Sequence, residues 1–185
     1  MVPPSSSGVR VRRIRADDGA LLRELRLRSL TDSPEAFGQG DAEPADKPAK
    51  EWAAAARAAS NGDRRAWFIA ETDGHEVGLV LVRRRPPDEM LIFSMWVSAE
   101  NRRSRVGRAL IDTAAAWGRS WGARRAVLWV FATNETAVRF YDRLGFAVES
   151  DGADEAAGRA YGALAMSLSF DGSAIGSAVA SHAVG

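Results

Sequence analysis

Residues 91–121, LIFSMWVSAENRRSRVGRALIDTAAAWGRSW, constrain the fold of this chain more than any other stretch. The first seven are almost all apolar, β-branched or aromatic, the composition of a strand buried on both faces. After a polar turn, Val106, Leu110, Thr113, Trp117 and Trp121 recur at steps of three or four, which places them on one face of a helix. Between strand and helix lies Asn101-Arg102-Arg103-Ser104-Arg105-Val106-Gly107-Arg108. A strand that ends in a basic turn at a helix N-terminus is a ready anion site, because free N–H groups, the helix dipole and the arginines all favour negative charge there.

The flanking sequence supplies the other elements. Val9, Val11 and Ile14 mark a strand over 9–15, and Asp17 or Asp18 is placed to cap a helix over 21–30. Leu21, Leu22, Leu25 and Leu27 or Arg28 form the inner side of that helix. A Pro-, Gly- and acid-rich loop over 31–49 precedes an alanine-rich helix over 52–59. Strands over 66–72 and 76–84 are joined at Asp73-Gly74, a strong hairpin signal. Pro86-Pro87-Asp88 turns the chain into the central strand, 90–97, and the helix over 105–121 closes at Gly122. A strand over 125–131, a helix over 134–144 ended by Gly145, a segment at 146–149 and a last strand over 161–170 complete the order.

Strand, helix and strand in sequence make one crossover, so the strands it joins run parallel. The expected class is mixed α/β: a central, mostly antiparallel sheet of six to seven strands, about four helices and one parallel βαβ crossover. Residues 9–170 form one domain, with 1–8 a disordered lead and 171–185 a mobile tail of small residues.

Composition narrows the chemistry. The net charge of +1 argues against a nucleic-acid partner. With no cysteine and two histidines, His75 and His182, thiol nucleophiles and zinc–thiolate sites are excluded, and no metal is expected. No apolar run is long enough to span a bilayer, and MVPPSSSG lacks the charged and apolar regions of a secretory signal, so a cytoplasmic protein is expected. Six tryptophans permit a homodimer through Trp52, Trp117 or Trp121, although core packing explains them as well.

The chain resembles the GNAT superfamily of acetyl-CoA-dependent N-acyltransferases over about residues 9–170. Two motifs carry the resemblance. The family's Gln/Arg-x-x-Gly-x-Gly/Ala appears as Arg102-Arg103-Ser104-Arg105-Val106-Gly107, and its Asn…Ala…Tyr…Gly-Phe pattern as Asn134, Ala137, Tyr141 and Gly145-Phe146. The first motif glycine is Arg105 here. A positive φ at that position would cost about 1–2 kcal/mol, and a helical backbone would cost nothing.

The resemblance implies a sheet splayed at an acetyl-CoA site, with the pyrophosphate on the N–H groups of Arg103, Ser104, Arg105, Val106, Gly107 and Arg108. Arg102 is a further cofactor-site residue, and Ser104 is equally a helix cap. The pantetheine arm would lie along the backbone of Met95, Trp96 and Val97, like an added strand. Asn134 is a cofactor contact or the N-cap of its helix, or both. Tyr141 would act as general acid toward the leaving thiolate.

The implied reaction is direct attack of a primary amine on the CoA thioester in a ternary complex. An amine of pKa near 10.4 is neutral in only about one molecule in 2,500 at pH 7, so a base is required. The central strand holds no carboxylate over 91–97, which leaves water, Glu71 or a loop acid. Asp32, Glu35, Asp41, Glu43 and Asp46 in one loop, with Asp151, Asp154 and Glu155 in another, suggest a cationic small-molecule or peptide amine as acceptor. The alternative is a catalytically degenerate module of the same fold that binds CoA or a partner.

Overall fold

The computed structural model describes residues 8–34, 47–149 and 162–170. The elements are β1 (Arg10–Arg13), α1 (Gly19–Asp32), α2 (Ala49–Ser60), β2 (Arg65–Thr72), β3 (His75–Arg85), β4 (Glu89–Val97), α3 (Val106–Ser120), β5 (Arg125–Phe131), α4 (Glu135–Arg143), β6 (Ala147–Val148) and β7 (Ala163–Ser169). One seven-stranded sheet has the order β1-β2-β3-β4-β5-β7-β6. β4 and β5 run parallel, as the crossover through α3 requires, and the other neighbouring pairs are antiparallel. The expected class therefore holds. The acidic residues Glu35, Asp41, Glu43, Asp46, Asp151, Asp154 and Glu155, like residues 1–7 of the lead and the whole tail, lie outside the described residues.

The sheet buries a different apolar set on each face. Alternate residues of β2 to β5, among them Phe68, Val80, Val82, Ile92 and Leu128, pack with Val106, Leu110, Ile111 and Ala114 of α3. On the opposite face Trp67, Ile69, Leu79, Leu81 and Trp96 pack with Leu22 and Leu25 of α1 and with Trp52 and Ala56 of α2. Trp52 is therefore a core residue, 1% exposed.

Local geometry follows the turn chemistry. Asp73 (φ 52°) and Gly74 (φ 78°) form the hairpin, and Gly122 (φ 88°) and Gly145 (φ 92°) close α3 and α4 in the left-handed region. Three expectations need correction. Asp18 occupies the N-cap position of α1 without a side-chain cap bond. Its carboxylate instead accepts the Arg15 N–H at 2.8 Å and an Arg12 N–H at 2.6 Å. The buried face of α1 is Gly19, Leu22, Leu25, Arg26 and Ser29, while Arg28 is exposed. The buried face of α3 is Val106, Gly107, Leu110, Ile111, Ala114, Ala115 and Gly118, with Thr113 and Trp117 at its flank.

An ion cluster clamps the parallel pair where it is joined. Glu89 on β4 accepts from Arg125, its register partner on β5, at 2.6 Å and from Arg85 at 2.5 Å, and Arg125 also bonds Glu149. Burial alone would raise the Glu89 pKa, but the two guanidinium groups outweigh it and hold the carboxylate below its ordinary 4.5. A carboxylate with a depressed pKa stabilises the fold fully above its unfolded value and loses that contribution as pH falls through the lower folded value. The melting temperature should accordingly fall below about pH 4.5. Glu89→Gln should lose about 2 kcal/mol at pH 7 and show a shallower acid decline. A melting series from pH 7 to pH 3 on both proteins checks this; parallel curves would remove Glu89 as a cause.

Candidate active site

β4 and β5 pair only over Glu89–Arg125, Met90–Ala126 and Leu91–Val127, and then diverge toward their C-terminal ends. The cause lies in β4. Ser94 has φ 49°, and the β3–β4 register shifts between Leu79 and Leu81, so Val80 faces two residues of β4. This is a β-bulge, and it reverses the inside–outside parity of the strand. Ile92 packs under α3, yet Trp96, four residues on, packs on the opposite face with α1 and α2. Such a left-handed serine costs about 1–2 kcal/mol, and strain of that kind concentrates at functional sites.

The bulge also decides which backbone groups face the gap. Ser98 N–H donates to Val77 O at 2.9 Å, and the Trp96 carbonyl lies against Gly78, where an added Cβ would approach it to 2.9 Å. The Trp96 main chain therefore faces β3, and its side chain is core, 4% exposed. Alternation turns the N–H and C=O of Met95 and Val97 toward the gap. Of the three expected rail residues, Trp96 is thus displaced to a structural role.

The open end of the gap meets the turn before α3. Arg102 does not extend into that turn. Its guanidinium forms an ion pair with Asp32 at the end of α1, donates to Ser33 Oγ at 2.8 Å, and sets Nε 3.2 Å from Val97 O. Asp32 also accepts the Trp96 Nε1–H at 2.8 Å. The sequence signal for this knot was absent, because its members are 64 and 70 residues apart. Asp32, expected as an acceptor-loop charge, is instead neutralised by Arg102.

The left-handed residue of the turn is Arg103 (φ 62°), whereas Arg105 is helical (φ −82°, ψ −3°). An arginine in place of the motif glycine is consequently unstrained. Ser104 Oγ accepts the Val106 N–H at 3.3 Å and donates to Asn101 O, so it braces the turn, while the N-cap position is Arg105 and carries no side-chain cap bond. Arg103 and Arg105 are exposed and have no carboxylate at ion-pair distance among the described residues, while Arg108 lies 3.3 Å from Asp112. The first-turn N–H groups of α3 thus face an exposed, net positive surface.

α4 covers the other side of this opening. Asn134 Oδ1 accepts the Ala137 N–H at 3.1 Å, so Asn134 is the N-cap of α4. It also lines an open groove of about 370 Å³ with Thr133, Glu135, Thr136 and Arg139. A Cβ on Gly107 would lie 2.9 Å from Phe140 Cζ and 3.6 Å from Met95 Cε. Gly107 is therefore where α3, α4 and β4 meet, a packing requirement beyond any phosphate contact. Tyr141 is 8% exposed and stacks edge-on with Phe140 (5.2 Å) and Phe146 (5.6 Å). Burial pushes its hydroxyl pKa well above 10.0, so the phenol keeps its proton at neutral pH. Of the candidate bases, Glu71 is bound to Arg12 at 2.5 Å.

Comparison with known proteins agrees with this geometry. Residues 25–146 match the acetyltransferase (GNAT) family, about two thirds of the chain. An uncharacterized N-acetyltransferase of Methanocaldococcus jannaschii is 33% identical over 92 residues, which are 45% of this chain and 40% of that protein. The chain thus matches less than half the length of that relative. Among solved structures, an acetyltransferase of the GNAT family from Streptococcus pneumoniae superposes with TM-score 0.67 at 18% identity, covering 88% of this chain and 99% of that one. The PaiA N-acetyltransferase of Thermoplasma acidophilum, in complex with coenzyme A, gives TM-score 0.65 at 17% identity over 88% and 99% of the two chains. The chain belongs to the GNAT acetyltransferase family. Among the described residues, no helix is long and apolar enough to cross a membrane.

Proposed function

We propose that the protein is an acetyl-CoA-dependent N-acetyltransferase acting on a primary amine by direct attack. The observation that carries the reading is the parted β4–β5 pair, whose gap is faced by Met95 and Val97 main-chain groups and opens at the α3 N-terminus. The thioester arm pairs with the Met95 groups and the Val97 N–H as an added strand would, the Val97 carbonyl already accepting from Arg102 Nε, and the pyrophosphate lies on the N–H groups from Arg103 to Arg108. Arg103 and Arg105 supply the free positive charge. Asn134 keeps its helix cap and lines the groove at the α4 N-terminus with Thr133, Glu135, Thr136 and Arg139.

In the reaction the amine lone pair forms the C–N bond at the thioester carbonyl as the C–S bond breaks. The displaced sulfur accepts a hydrogen bond from the Tyr141 hydroxyl and departs as the thiolate; the excess amine proton passes to water, and the thiolate takes up a proton from solvent to become the thiol. The raised Tyr141 pKa keeps the donor loaded. The acceptor is a small-molecule or peptide amine, and the acidic composition of 32–46 and 151–155 favours a cationic one. Free-thiol release from acetyl-CoA, measured with a polyamine, an aminoglycoside and basic peptides, tests the reading. Amine-dependent release is expected; acetyl-CoA binding without turnover across that panel would point to the degenerate module.

A further inference from the structure

The gap between β4 and β5 has a closed end as well as an open one. The last paired residues are Leu91 and Val127, and the first side chains beyond them on the face away from α3 are Phe93 and Trp129. Their rings stack across the parting strands with centroids 6.1 Å apart and planes inclined by 24°. The Arg83 guanidinium lies 5.1 Å from the centre of the Phe93 ring, and the ring packs against the α1–α2 core. On the opposite face Ile92 and Leu128 fill the same level beneath α3, 3% and 2% exposed. The vertex is thus plugged by side chains on both faces, and the Glu89–Arg125 clamp holds it shut just below.

We propose that the Phe93–Trp129 pair is the end wall of the acyl pocket and restricts the transferred group to two or three carbons. The inference rests on the acetyl-CoA reading above. An acyl thioester that enters at the α3 N-terminus runs along β4 from Val97 toward Phe93, about 13 Å at strand spacing. Its terminal carbon then points at the vertex. A longer chain must separate two stacked rings, one of them held by a guanidinium, or force the clamped strands apart, and packed interiors accommodate neither cheaply.

Calorimetric Kd values for CoA, acetyl-, butyryl- and hexanoyl-CoA test this without an acceptor amine. The wild-type protein should bind hexanoyl-CoA about 10–100-fold more weakly than acetyl-CoA. Trp129→Ala, and Phe93→Ala where Trp129→Ala does not fold, should shrink that ratio at least about 10-fold while leaving the Kd of CoA itself nearly unchanged. Trp129→Phe, which keeps an aromatic wall, should restore most of the discrimination. Equal binding of all three acyl-CoAs by the wild type, or a ratio unmoved in the alanine variants, overturns the inference alone. Failure to bind CoA or any acyl-CoA overturns the acetyl-CoA reading with it.

Discussion

Tyr141→Phe should lower kcat about 100-fold while leaving the Kd of acetyl-CoA within about twofold. The substitution removes one hydroxyl and keeps the ring that packs on Phe140 and Phe146, so the melting temperature should barely move. A hydrogen-bond donor toward the departing sulfur acts late in the reaction, and its loss therefore appears in kcat rather than in binding. The burial that raises the Tyr141 pKa limits its role in one respect. A phenol less acidic than a thiol near pKa 8.5 stabilises the sulfur chiefly as a hydrogen-bond donor. The defect should consequently be smaller with a CoA analogue whose thiol is more acidic. A kcat within twofold of wild type would return Tyr141 to the aromatic core.

Gly107→Ala should weaken acetyl-CoA binding about 10-fold or more with little change in thermal stability. Helix propensity favours alanine by about 1 kcal/mol, and because the clash is with the flexible tip of Phe140 the overpacking cost falls at the low end of about 1–3 kcal/mol, so the two nearly offset in the fold. They do not offset in the site. The new methyl must displace the tip of Phe140, 2.9 Å away, where α3, α4 and β4 meet, and it comes into ordinary contact with Met95 Cε at 3.6 Å. Calorimetry with acetyl-CoA beside a melting curve separates these effects. An unchanged Kd would mean that Phe140 yields without narrowing the opening.

Much of this architecture was legible because its determinants are local. Asp73-Gly74, Gly122 and Gly145 occupy left-handed backbone positions, and each closes an element within a residue or two of the expected boundary. Strand 125–131 was recognisable from its unbroken apolar run, and Asn134 as a helix cap from residue type and position. The two family motifs carry the basic turn, which lies at the start of α3, and Tyr141, which lies on α4. Ser94 carried no such signal. A serine inside a run of apolar and aromatic residues reads as continuous strand, and only pairing with β3 exposes the extra residue.

The sequence by itself determined the order and type of the elements, the parallel crossover and the residues at the helix starts, because each depends on neighbours within a turn or a strand. Tertiary structure decided where β4 and β5 separate, which of Met95, Trp96 and Val97 face the gap, and that Arg102 serves Asp32 rather than the anion turn. Those outcomes depend on register against β3 and on a carboxylate 70 residues away, so no local pattern encodes them.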